Sequence, residues 1–129
     1  MRYLLDTSVW IRGYFEPDTI PEQSRRILAS TTETFGLSAI SLWEVGKKHQ
    51  LGKLALDRSL EEWFRHAIGG NVDVLMLTPE VVATAMRLPD FPTRDPADEL
   101  IVATARVHNC PLMTVDAKIL AYPHVQKVP

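Results

Sequence analysis

The sequence predicts an α/β fold, a three-layer sandwich in which a central, mainly parallel sheet is flanked by helices. Three observations point there. Short apolar runs of strand length alternate along the whole chain with stretches of helical periodicity, as repeated strand–helix units require. The runs are stopped by polar or acidic clusters that also suit a helix start, so strands deliver the chain directly into helices. The length of 129 residues suits one domain spanning 1–129 and is enough to bury a sizeable core.

The elements follow in order. Tyr3-Leu4-Leu5 reads as a buried strand, and Asp6-Thr7-Ser8 turns the chain into a short helix ending at Gly13. Glu16 to Pro21, rich in proline and acid, is a loop. A helix from Arg25 to Ser30 turns Ile27 and Leu28 inward, and Thr34 to Ser38 is the second strand. Ser41-Leu42-Trp43-Glu44 has the capping-box spacing and opens a helix that runs to about Leu51-Gly52. Leu60, Trp63, Phe64, Ala67 and Ile68 form one apolar helical face, closed by Gly69-Gly70.

The second half repeats the alternation. Val72 to Leu77 is a strand, and Thr78-Pro79 starts a helix lined by Val82, Ala85 and Met86 that lasts until Leu88-Pro89. A loop from Pro89 to Arg94 leads to a helix that ends near Asn109. Asp95 suits its cap, Pro96 its first position, and Asp98 its first turn at the head of the apolar stripe of Ile101, Val102 and Ala105. Pro111 to Val115 is a strand, Lys118 to Tyr122 a short helix and Val125 to Val128 a last strand.

Composition narrows the function classes. With 46% hydrophobic and 23% charged residues the chain is neither disordered nor fibrous. A net charge of -2 gives no general attraction for nucleic acid, so any such contact needs a local basic patch and help from metal ions. The single Cys110 has no partner for an internal disulfide, which suits a reducing, cytoplasmic setting. The N-terminal apolar run breaks at Asp6, too early for a signal peptide, and no stretch approaches a membrane span.

The acids share an address. In a parallel sheet the carboxyl ends of the strands and the N-termini of the following helices lie on one edge. Asp6, Glu44, Asp98 and Asp116 all fall there. Like charges brought together raise one another's pKa and repel, so such a cluster calls for protons or cations, and hard oxygen donors suit Mg²⁺ or Mn²⁺. A plainer reading stands beside this one. Each acid also suits a helix start: Asp6 as a cap, Glu44 as the partner of Ser41, Asp95 with Asp98 as a similar pair, and Asp116 as the cap of the last helix. The residues alone leave both readings open.

Four segments in this order carry a resemblance: Tyr3-Leu4-Leu5-Asp6-Thr7-Ser8-Val9-Trp10, Ser41-Leu42-Trp43-Glu44-Val45, Arg94-Asp95-Pro96-Ala97-Asp98 and Leu112-Met113-Thr114-Val115-Asp116. Together they resemble the PIN domain, and within it the VapC-type toxins of toxin–antitoxin pairs. The resemblance spans nearly the whole chain. It implies a metal-dependent ribonuclease using one or two Mg²⁺ or Mn²⁺ ions and leaving a 5′-phosphate and a 3′-hydroxyl. By the same resemblance, Asp6, Glu44, Asp98 and Asp116 form the acidic site, Thr7, Ser8 and Thr114 orient it, and Asp95 joins it or serves as the helix cap. A cognate antitoxin and a homodimer are the implied partners. Glu99 departs from the pattern, since many relatives carry arginine there.

Arg12, Lys47, Lys48, Lys53 and Arg94 are the candidates for RNA contact, with an ordinary solvated face as the alternative. Glu44 also has Lys47 and Lys48 at ion-pair spacing along its helix. Gly46 inside a helix costs about 1 kcal/mol against alanine, which suggests close approach by another backbone or by RNA. Trp10, Tyr14, Phe15 and Trp43 are expected in the core, with a dimer surface or antitoxin groove as the alternative. The histidines are dispersed without zinc-ligand spacing, and Cys110 reads as a small packed residue. Two other functions fit aspartates at strand ends. A metal-dependent phosphatase or phospho-acceptor domain would want a second acid beside Asp6, where Thr7 and Ser8 stand instead. A non-catalytic RNA-binding module of the same fold has no need of all four acids.

Overall fold

A computed structural model describes residues 2–129. The chain runs β1 (Arg2–Leu5), α1 (Thr7–Phe15), a single 3-10 turn (Pro17–Thr19), α2 (Glu22–Ala29), β2 (Thr34–Ser38), α3 (Ala39–Gln50), α4 (Leu60–Ile68) and β3 (Val72–Leu75). It continues through α5 (Pro79–Met86), α6 (Pro96–Val107), β4 (Leu112–Met113), α7 (Ala117–Leu120) and β5 (Lys127–Val128). The five strands form one sheet in the order β3-β2-β1-β4-β5 with every pairing parallel.

The three layers follow from side-chain alternation in the strands. Leu4 and Leu112 point to one face, where they pack with Ile101, Val102 and Ala105 of α6 and Ile119 of α7. Leu5, Phe35, Leu37 and Met113 point to the other, against Val9 and Trp10 of α1, Val45 of α3 and Trp63 of α4. Successive residues of β1 and β4 thus feed opposite cores. That is why these strands read as unbroken apolar runs rather than as alternating ones.

Several boundaries differ from the expectation. Helix α1 passes Gly13 and ends at Phe15, where the Glu16 N–H closes onto the Arg12 carbonyl at 2.7 Å. Helix α2 starts at Glu22, and β3 stops at Leu75. On α5 Ala85 is buried as expected, but its partner against Ala103 of α6 is Val81, while Val82 and Met86, also expected on that face, are exposed. One residue turns a helix by roughly 100°, enough to exchange faces. Gly46 meets neither backbone nor open solvent, since a Cβ there would stand 3.4 Å from the Leu60 side chain of α4. Among the described residues, no helix is long and apolar enough to cross a membrane.

Candidate active site

Strand order places a crevice in the sheet. From β1 the chain builds outward through β2 and β3, then returns to build β4 and β5 on the other side. The winding reverses between β1 and β4, which stay paired to Leu5 and Met113, and the connections that leave them run to opposite sides of the sheet and open a crevice at their carboxyl ends. Asp6 follows β1 directly and is 6% exposed. Its N–H donates to the Met113 carbonyl at 3.0 Å. Its Oδ1 accepts the Thr7 N–H at 2.8 Å as the cap of α1, and its Oδ2 accepts the Thr114 hydroxyl at 2.7 Å. Capping therefore uses one oxygen, and the other belongs to a contact across the opening.

Thr114 is fully buried and works in two directions. Its hydroxyl donates to Asp6 and accepts the Asp116 N–H at 3.1 Å, coupling the end of β1 to the start of α7. Asp116 is the exposed cap of α7, where its Oδ1 accepts the N–H groups of Lys118 at 2.9 Å and Ile119 at 3.2 Å.

Glu44 enters from α3. The expected capping box is not formed: Ser38 caps this helix, accepting the Ile40 N–H at 3.3 Å, so Ser41 and Glu44 lie inside it. Three residues apart, they share a face, and both reach Thr7 of α1. The Thr7 hydroxyl lies 2.7 Å from Ser41 Oγ and donates to Glu44 Oε1 at 2.5 Å. Asp98, in the first turn of α6, accepts the Thr93 hydroxyl at 3.1 Å through Oδ2. Asp95 is the exposed cap of that helix, with Oδ1 accepting the Ala97 N–H at 2.9 Å. Ser8 is half-buried, and among the described residues no hydrogen bond joins it to the acids.

Electrostatics tie these carboxylates together. Burial pushes the Asp6 carboxyl up, and Asp116 adds to the rise, although the Thr114 and Thr7 donors oppose it. Glu44 is raised by burial and then by Asp95 and Asp6 against the Thr7 bond. Asp98 is pushed up to about 6 by burial first, then by Asp95, Asp6 and Asp116, against the Thr93 hydroxyl. Among the described residues, none of the five acids forms an ion pair with lysine or arginine. The helix pair open to Glu44 is not made, because Lys47 bonds Gln50 instead at 2.6 Å.

The donor chemistry suits a hard divalent cation: all-oxygen ligands whose mutual repulsion a cation would relieve. As the side chains stand, no three or more His, Cys, Asp or Glu among the described residues form a ready metal-holding set. A shared ion would require the carboxylates to turn toward it.

Of the basic candidates, Lys48 lies near enough for its charge to lower both Asp6 and Glu44. Lys47, Lys48 and Lys53 line a groove of about 600 Å³ together with Glu44 and Asp95. Arg94 is exposed just ahead of Asp95, and Arg12 is exposed in the last turn of α1, roughly 9 Å along the axis from Asp6. Sequence reading missed Ser41 as a partner of Thr7, and it missed Thr93 altogether. Trp43, expected in the core, is 60% exposed.

A family profile, that of the PIN domain, matches residues 3–125. The chain is similar to the Ribonuclease VapC22 of Mycobacterium tuberculosis, with 30% identity over 125 residues that cover 97% of this chain and 95% of that one. Among solved structures it is similar to VapBC2 from Rickettsia felis bound to a DNA fragment from its promoter. That match has a TM-score of 0.74 at 16% identity and covers 99% of this chain and 98% of the other. A toxin–antitoxin complex from Klebsiella pneumoniae gives a TM-score of 0.69 at 18% identity, covering 98% and 96%.

Proposed function

The chain belongs to the PIN domain family, and from that premise we propose that it is an endoribonuclease toxin, dependent on Mg²⁺ or Mn²⁺ and held in check by a cognate antitoxin. One observation carries the reading. Asp6 is buried and Glu44 and Asp98 are half-buried at the reversal of the sheet, the charge of Asp6 raises both of the others, and among the described residues no lysine or arginine is paired to any of them. Such a cluster is costly for the bare fold and useful only when a cation completes it.

In this reading Asp6, Glu44, Asp98 and Asp116 hold one or two ions, with Asp95 serving chiefly as a cap. A bound ion would lower the pKa of water and neutralise charge on the phosphate. The chain's own groups supply the placement. Thr114 fixes Asp6 Oδ2, Thr7 aims Glu44 Oε1, and Thr93 steadies Asp98 Oδ2. In this reading hydrolysis leaves a 5′-phosphate and a 3′-hydroxyl. The Klebsiella pneumoniae relative is a toxin–antitoxin complex, which supports an antitoxin partner. We further infer a single domain over 1–129 that pairs with a second copy through the exposed Met76, Leu77, Val82 and Met86, which sedimentation at rising concentration would report.

The test is an RNA cleavage time course with purified protein in Mg²⁺, in Mn²⁺ and in EDTA, beside Asp98→Asn. Cleavage should need the metal and drop by a factor on the order of a thousand or more in the folded variant, as when a metal-holding acid is lost. Cleavage that is indifferent to both metal and variant would remove the acids from the chemistry.

A further inference from the structure

We propose that the groove between α3 and the start of α6 is the channel by which single-stranded RNA reaches the acids, with Trp43 stacking a base and Lys47, Lys48 and Lys53 holding its backbone. The proposal rests on the nuclease reading above and names how that site takes its substrate.

The three tryptophans divide sharply. Trp63 is 0% and Trp10 5% exposed, both within one aromatic cluster, whereas Trp43 is 60% exposed. A large apolar ring left in water on a well-packed helix is unexplained by the fold, because α3 already buries Ser41 and Val45. The ring immediately precedes Glu44 and lines the same groove. It also lines a second hollow of about 540 Å³ together with Gly46 and Leu60. Leu51, 59% exposed, offers apolar surface on the wall of the groove.

Charge decides what fits. On a chain of net charge -2, the groove gathers three lysines, and among the described residues none of them is ion-paired. The Lys47 ammonium stands 5.8 Å from the Trp43 ring centroid, so a phosphate held by that lysine would have the ring within a base's reach. Basic side chains tracking a backbone, with an aromatic face beside them, bind single strands without strong sequence preference. An acidic peptide would satisfy the lysines but also meet Glu44 and Asp95 in the same groove. On the nuclease reading RNA meets those acids through metal ions, so the acids would not repel it.

Because Trp43 is the exposed tryptophan, its fluorescence reports on the groove directly. The Asp98→Asn protein, which binds without cutting, is titrated with a short oligouridylate in EDTA and again in Mg²⁺. Quenching is expected. Trp43→Leu in the same background should abolish the quenching and weaken binding, read by anisotropy of labelled RNA, by roughly tenfold, while Trp43→Phe keeps most of the affinity. Lys47→Ala and Lys53→Ala should each lower the salt slope of binding by about 0.7. Thermal unfolding checks that each variant is folded. Equal RNA affinity for Trp43→Leu and its parent, with cleavage intact when Asp98 is restored, would overturn the groove and leave the nuclease. RNA that neither binds nor is cut by the wild-type chain in Mg²⁺ or Mn²⁺ would overturn both. Trp43→Leu that releases an antitoxin peptide while keeping RNA affinity would give the groove to protein instead.

Discussion

At the scale of single residues, the site is a set of carboxylates steered by threonine hydroxyls. Asp6 and Asp98 stood open between helix cap and site in the residues alone, and only the order of the four segments that resemble the PIN domain set them apart. Ser41 and Thr93 were not legible. The Ser41-to-Glu44 spacing is the same whether the pair caps a helix or shares its face, and only the position of Ser38 as cap decides between them. Thr93 acts from a loop, where sequence carries no periodicity. Thr114 offers the most direct test of steering. Thr114→Val keeps the shape and removes the donor to Asp6 Oδ2. We expect a loss of about 1–3 kcal/mol in unfolding free energy, from a buried acceptor left unpaired. Cleavage should fall by roughly 10–100-fold, the scale for losing a group that orients a metal ligand, mainly in kcat. Full activity in that variant would show that Asp6 needs no steering.

Elements were easier to read than their faces. The strand of Thr34 to Ser38 and the helix of Leu60 to Ile68 matched the expectation residue for residue, because turn residues and glycine bracket them. On α5 the reading placed Ala85 rightly but chose Val82 and Met86 over Val81, because Val81, Val82, Ala85 and Met86 present apolar side chains on two sides and periodicity cannot choose between sides of equal character. Gly46 shows the same limit. Its cost in a helix signalled a close neighbour, and the neighbour is the Leu60 side chain at ordinary contact distance. Gly46→Ala should therefore stabilise the protein by about 0.5–1 kcal/mol in denaturant unfolding and leave RNA cleavage unchanged. Lost cleavage with a gain in stability would mean that RNA needs the bare backbone there after all.

Across the whole molecule, the reversal of the sheet forces groups of one charge into one opening, and the bare fold carries that cost. The pH dependence follows from the direction of the shifts. Asp98 moves from 3.8 to about 6 on folding, and Asp6 and Glu44 rise as well, so between those values the folded state binds more protons than the unfolded one. Stability contributed by these groups is fully present below the unfolded pKa and is lost as pH rises through the folded one. In EDTA the protein should therefore be more stable at about pH 5 than at about pH 7.5, and Asp98→Asn should flatten that difference. On the proposed reading, Mg²⁺ or Mn²⁺ would take over the protons' role. Added metal should raise stability at the higher pH by an amount that grows with the logarithm of its concentration, and by less at the lower pH, where protons compete for the same oxygens. Denaturant melts at the two pH values, with and without metal, test the linkage apart from any RNA. A metal-free stability that is flat or rising with pH, and unchanged in Asp98→Asn, would mean that the acids are held apart well enough to bear their charge without a cation.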